Sequence, residues 1–164
     1  MRRIRLGASV VVLVASIVNL VSAAPAQADY GRPIRSDLNP SRLCLDVRGG
    51  IGAAGQDVQI WDCNNGPGQR WTLKSDGTIV SDLDYREIWC LDVRGGVPAA
   101  GQDVQLWRCN GGAGQRWHRN ENGTLTSDLN PSRLCLDVRG GIGAAGQDVQ
   151  IWDCNGGANQ RWSF

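Results

Sequence analysis

Reactive side chains are scarce in this 164-residue chain. There is one histidine, His118, and the six cysteines include no C-x-x-C pair. That donor set lacks the spacing of a zinc site, so no metal is expected. No serine stands in a G-x-S-x-G elbow. Asp82, Asp84 and Glu87 lie together and offer the carboxylate pair that glycoside hydrolysis needs. Nothing around them signals the raised pKa of a general acid, so neither catalysis nor a cofactor is expected. What recurs is an aspartate in C-L-D-V, at Asp46, Asp92 and Asp137, with a tryptophan in W-x-C-N 15 residues later, at Trp61, Trp107 and Trp152. An ionised carboxylate accepts from two neighbouring hydroxyls with charge-assisted bonds. An indole supplies flat, rigid apolar area at low entropic cost. Together they suit a ring with hydroxyls at its rim and C–H groups on its faces. The same aspartates, placed ahead of a glycine-rich stretch, also fit a turn-forming role, and the tryptophans also fit a core.

The elements that position these residues repeat three times. Ser36 to Trp71 and Ser127 to Trp162 are each 36 residues long and differ at three places: Asn65/Gly156, Pro67/Ala158 and Gly68/Asn159. The middle copy keeps L-D-V-R-G-G, A-A-G-Q-D-V-Q, W-x-C-N and Q-R-W, with one extra residue in Asp84 to Trp89. Such internal periodicity sets the architecture. Within a copy, Leu43–Val47 and Val58–Trp61 are short apolar runs separated by the glycines of Arg48–Gly55, the signature of strands between turns. Alternation along the second run turns Val58 and Ile60 inward and Gln59 and Trp61 outward. Gln69-Arg70-Trp71 is expected to open a further strand, and Ser75-Asp76-Gly77 to turn into Thr78-Ile79-Val80. No amphipathic helix is expected in residues 29–164. A copy of this size cannot bury a core alone, so three must share one axis, with Leu45, Leu91 and Leu136 in a symmetric layer. Trp71, Trp117 and Trp162 are expected in that core, with Gln69, Gln115 and Gln160 bonding backbone or orienting the aspartates. Trp89 is expected to pack beneath the inserted stretch, and Arg48, Arg94 and Arg139 to be exposed, edging the site at most.

Residues 1–28 read as a signal peptide: Arg2, Arg3 and Arg5 precede an apolar run, and Ala26-Gln27-Ala28 is a small-x-small cleavage pattern. Secretion to the extracellular space is therefore expected, with a domain over 29–164 of three repeats at about 34–76, 77–121 and 122–164. Of the 17 basic residues three are leader arginines, leaving 14 against 16 acidic ones. This mature charge of −2 lacks the basic footprint of a nucleic-acid partner. No second apolar stretch is long enough for a membrane span. In an oxidising compartment disulfides persist, and a unit that recurs intact should close on itself: Cys44–Cys63, Cys90–Cys109 and Cys135–Cys154.

Three Q-x-W motifs, at Gln69/Trp71, Gln115/Trp117 and Gln160/Trp162, in register with C-L-D-V and W-x-C-N, resemble the ricin B-chain-like (R-type) lectins, a module also found on bacterial polysaccharide hydrolases. The resemblance spans residues 29–164. It implies an all-β fold, a β-trefoil with pseudo-threefold symmetry, and up to three sugar sites. Carried over residue by residue, it implies that Asp46, Asp92 and Asp137 contact sugar, that Trp61, Trp107 and Trp152 are the platform, and that Gln59, Gln105, Gln150, Asn64, Asn110 and Asn155 assist. An asparagine before the Q-x-W glutamine, which bonds a hydroxyl in the family, is kept only at Asn159; Gly68 and Gly114 replace it. The third site is therefore expected to be the tightest. The partner implied is a polysaccharide or glycan, with galactose- or xylose-containing chains the first candidates, bound by a monomer. The alternative is a β-trefoil that acts as a protein-binding inhibitor or as a structural protein, binds no sugar and leaves these pairs idle.

Overall fold

A computed structural model describes residues 31–84 and 86–164; the expected signal peptide lies outside them. The described residues form twelve short strands, four to a repeat. Repeat 1 holds β1 (Arg35–Ser36), β2 (Leu43–Val47), β3 (Gln56–Asp62) and β4 (Trp71–Leu73). Repeat 2 holds β5 (Ile79–Ser81), β6 (Trp89–Val93), β7 (Val104–Arg108) and β8 (Trp117–Arg119). Repeat 3 holds β9 (Leu125–Ser127), β10 (Leu134–Val138), β11 (Gln147–Asp153) and β12 (Trp162–Ser163). In each, the second and third strands form an antiparallel hairpin in which the aspartate faces a glutamine: Asp46 opposite Gln59, Asp92 opposite Gln105, Asp137 opposite Gln150. The fourth strand of one repeat pairs with the first of the next, as β4–β5 and β8–β9, and β12 returns to β1. This cyclic closure of three units about one axis, expected from the repeats, is the β-trefoil that the resemblance implies.

The strand alternation holds. Val58 and Ile60 are buried, as are Leu45, Leu91 and Leu136. Trp71, Trp117 and Trp162 lie in the core, and each indole N–H donates to the carbonyl of one of those leucines, at 3.0, 3.1 and 3.1 Å. The core indole thus fills volume and satisfies a buried acceptor, a bond worth about 1 kcal/mol net. Trp89 is buried at the position that leucine takes in the other copies. Disulfides Cys44–Cys63, Cys90–Cys109 and Cys135–Cys154 clip each hairpin, and no described cysteine is free. Closing such a loop removes about 3 kcal/mol of unfolded-state entropy.

One local expectation is corrected. The chain before Trp71 is a single 3₁₀ turn, Pro67–Gln69, and the strand starts at Trp71. The Gln69 side chain causes this. It accepts from the Asn64 amide at 2.8 Å and donates to the Asp62 carbonyl at 3.0 Å, folding the segment back onto β3. The same turn recurs at Ala113–Gln115 and Ala158–Gln160. Among the described residues no helix is long and apolar enough to cross a membrane.

Candidate functional site

Each hairpin carries an open depression where its strands meet the glycine loop. The cavities measure about 550 Å³ in repeat 1, 590 Å³ in repeat 2 and 450 Å³ in repeat 3. The residues expected to act together do meet there: Asp46, Gln59, Trp61 and Asn64 in the first; Asp92, Gln105, Trp107 and Asn110 in the second; Asp137, Gln150, Trp152, Asn155 and Asn159 in the third.

The aspartate is the floor. Residues alternate along β2, so Leu45 and Val47 enter the core while Asp46 points to the pocket. Asp46, Asp92 and Asp137 are buried at 8, 8 and 2 % exposure. The facing glutamine amide donates to each, at 2.8, 2.9 and 2.9 Å. Burial pushes all three carboxyls above the ordinary aspartate range, opposed by the facing glutamine, then the Q-x-W glutamine, and more weakly by the nearby arginine. Gln59 and Gln150 each leave a buried side-chain oxygen without a partner.

The tryptophan is the wall. Trp61, Trp107 and Trp152 keep 42, 40 and 43 % of their surface exposed, large for an indole and available for a flat contact. Asn64, Asn110 and Asn155 stand at the rim, where each side-chain oxygen accepts from the backbone N–H two residues on, at 2.7 Å, and so shapes the turn that lines the pocket.

Asn159 lines the third depression and also bonds within the protein. Its amide donates to Asp137 Oδ2 at 2.5 Å, and the Gln160 amide reaches the same oxygen at 3.0 Å. Asp137 therefore receives one more donor than its counterparts, in the smallest of the three cavities. Gly68 and Gly114 leave that corner open in the other repeats.

Arg48, Arg94 and Arg139 line the three depressions, and they do more than edge them. Each pairs with an aspartate of another repeat: Arg48 with Asp148, Arg94 with Asp57, Arg139 with Asp103. The triple G-Q-D-V-Q carried that signal in sequence, but which arginine each aspartate would meet was not readable. Candidates outside the depressions are otherwise engaged. Glu87 pairs with Arg108, Asp82 accepts from the Gly31 amide, and Asp84 accepts from the Arg86 amide. His118 meets Asp128 at 2.8 Å. Among the described residues no group of His, Cys, Asp and Glu is placed to hold a metal.

The sequence profile of the ricin-type beta-trefoil lectin domain matches residues 33–162. The chain belongs to this lectin family. Nigrin b of Sambucus nigra is 49 % identical over 39 residues, a match covering 24 % of this chain and 7 % of that protein. The chain thus corresponds to a small part of this curated relative. The Vibrio vulnificus hemolysin/cytolysin beta-trefoil lectin, solved with N-acetyl-D-lactosamine bound, superposes with a TM-score of 0.63 at 27 % identity, over 83 % of this chain and 94 % of that one. ThreeFoil, a designed threefold-symmetric protein, gives a TM-score of 0.69 at 23 % identity over 81 and 94 % of the two chains, a likeness of fold. The family match over residues 33–162 covers all three depressions.

Proposed function

We propose that this chain is a secreted, non-catalytic lectin that binds sugar units of polysaccharides or glycans through three sites, one in each repeat. The observation that carries the reading is a threefold coincidence: a buried carboxylate held by glutamine amides beside an exposed indole, in an open depression. The carboxylate accepts from neighbouring ring hydroxyls, the indole covers a C–H face, and the glutamines fix the carboxylate so that little side-chain freedom is lost on binding. The N-acetyllactosamine bound by the Vibrio relative favours a galactose-containing ligand. Shallow single sites bind at about 1 mM, and three on one rigid body gain by multivalency on a polymer.

The test is a glycan array followed by calorimetry with the best binder, on the parent and on a triple variant, Asp46→Asn, Asp92→Asn and Asp137→Asn. Binding by the parent that disappears in a folded triple variant is expected. Unchanged binding by the triple variant would overturn the assignment of these pockets.

A further inference from the structure

The residues lining the first and third depressions come from one repeat each, but in all three the tryptophan wall rests on a glycine of another repeat. Trp61 of repeat 1 lies against Gly146 of repeat 3, where a Cβ would sit 3.5 Å from the ring carbon Cζ3; Trp107 meets Gly55 at 3.8 Å and Trp152 meets Gly101 at 3.5 Å in the same way. Each of these glycines has a φ near +90° (93, 85 and 91°), a conformation that L side chains rarely adopt. The glycine N–H donates to the carbonyl of the residue just before the tryptophan: Gly146 to Ile60 at 2.8 Å, Gly55 to Leu106 at 2.9 Å, Gly101 to Ile151 at 2.8 Å. The glycine carbonyl accepts from the arginine of that same depression, Arg48, Arg94 or Arg139, at 3.3, 3.3 and 3.2 Å. Two residues on, Asp148, Asp57 or Asp103 takes the same guanidinium nitrogen.

Resting on the sugar-site reading, we propose that the Gly-Gln-Asp corner of each repeat positions the sugar site of a different repeat. Repeat 3 sets the first site, repeat 1 the second and repeat 2 the third. The backbone of the corner fixes the pitch of the tryptophan, and its carboxylate aims the arginine along the pocket edge. Asp148, Asp57 and Asp103 are thus positioning residues for sites whose aspartates lie in other repeats. The three arginine–aspartate pairs are exposed at the surface, where a pair adds little to stability, so their threefold recurrence is explained by the geometry they impose on the pockets.

The experiment follows the indole N–H resonances of Trp61, Trp107 and Trp152 by NMR, as separate reporters of the three sites, during titration with D-galactose, N-acetyllactosamine and xylotriose. Asp148→Asn should weaken the Trp61 site about threefold, the size of a lost surface pair, and leave the Trp152 site of its own repeat unchanged. Asp57→Asn should do the same to the Trp107 site, and Asp148→Glu should restore part of the loss at Trp61. A ligand-free arm separates this claim from the sugar assignment: Gly146→Ala should move the Trp61 indole resonance and leave that of Trp152 in place. Equal effects at all three sites, an effect confined to the variant's own repeat, or a Trp61 resonance indifferent to Gly146→Ala would overturn the proposal. Binding of none of the three sugars by the parent, with the ligand-free arm as expected, would overturn the sugar reading and leave a positioning corner without a sugar site, which also refutes the proposal as stated.

Discussion

Replacing Asp46 by asparagine should separate binding from stability. Asp46 is 8 % exposed, and burial lifts its carboxyl above the ordinary range despite the Gln59 and Gln69 donors and Arg48. A carboxyl whose folded pKa lies above its unfolded value binds more protons in the folded state. Its contribution to stability therefore falls as pH rises through that interval. At neutral pH the ionised group is a cost to the fold, and an amide of the same shape removes the cost. The hydrogen bonding survives the change. Gln59 now donates to Asp46 at 2.8 Å and keeps a buried oxygen unpartnered; rotating its amide presents that oxygen to the new Asn side chain. Two ligand hydroxyls lose a charged acceptor, at about 1 kcal/mol each, so the first site should weaken about 30-fold. Calorimetry and NMR at Trp61 measure the binding, and thermal melts at pH 7 measure the fold. The melting temperature should stay level or rise. A fall of more than about 4 °C, or roughly 1 kcal/mol in a domain of this size, would show that the ionised Asp46 stabilises the fold, and an undiminished first site would show that it holds no ligand. The raised pKa also makes sugar binding fade on acidification at a higher pH than an ordinary aspartate would give.

Three further outcomes are expected. Trp117→Phe removes the 3.1 Å bond to the buried Leu91 carbonyl and should cost about 2 kcal/mol, read as a lower midpoint in urea with an unchanged slope. Reducing all three disulfides withdraws about 3 kcal/mol each, a total comparable with the whole stability of a typical domain; loss of cooperative melting under reductant checks it. Asn159→Gly deletes a donor that holds the Asp137 carboxyl down against burial, so Asp137 should titrate at still higher pH, measured from its carboxyl carbon resonance.

The cysteine pairing, the hairpin strands and the opposite faces of Ile60 and Trp61 were legible because each follows from spacing within one copy. Alternation along Val58–Trp61 marked Trp61 as exposed, at 42 %. Features that join copies were not legible. Arg48 and Asp148 are 100 positions apart, and it is the pairing of β11 with β3, Asp148 opposite Gln59, that brings repeat 3 against repeat 1 at this corner. The turn at Pro67–Gln69 escaped the strand signal because a side chain, Gln69, supplies the bonds that a ladder would have made. The resemblance implies a bond from Asn159 to a sugar hydroxyl; the fold adds one that sequence did not show, from its amide to Asp137, and leaves a second N–H and the side-chain oxygen to serve a ligand.

Titrating N-acetyllactosamine into the parent while recording all indole N–H resonances shows directly whether the three depressions hold sugar between an aspartate and an indole. Trp61, Trp107 and Trp152 should shift with saturation, while the core indoles of Trp71, Trp117 and Trp162, each bonded to a buried carbonyl, should stay fixed. Sugar binding that leaves Trp61, Trp107 and Trp152 unmoved would contradict that placement.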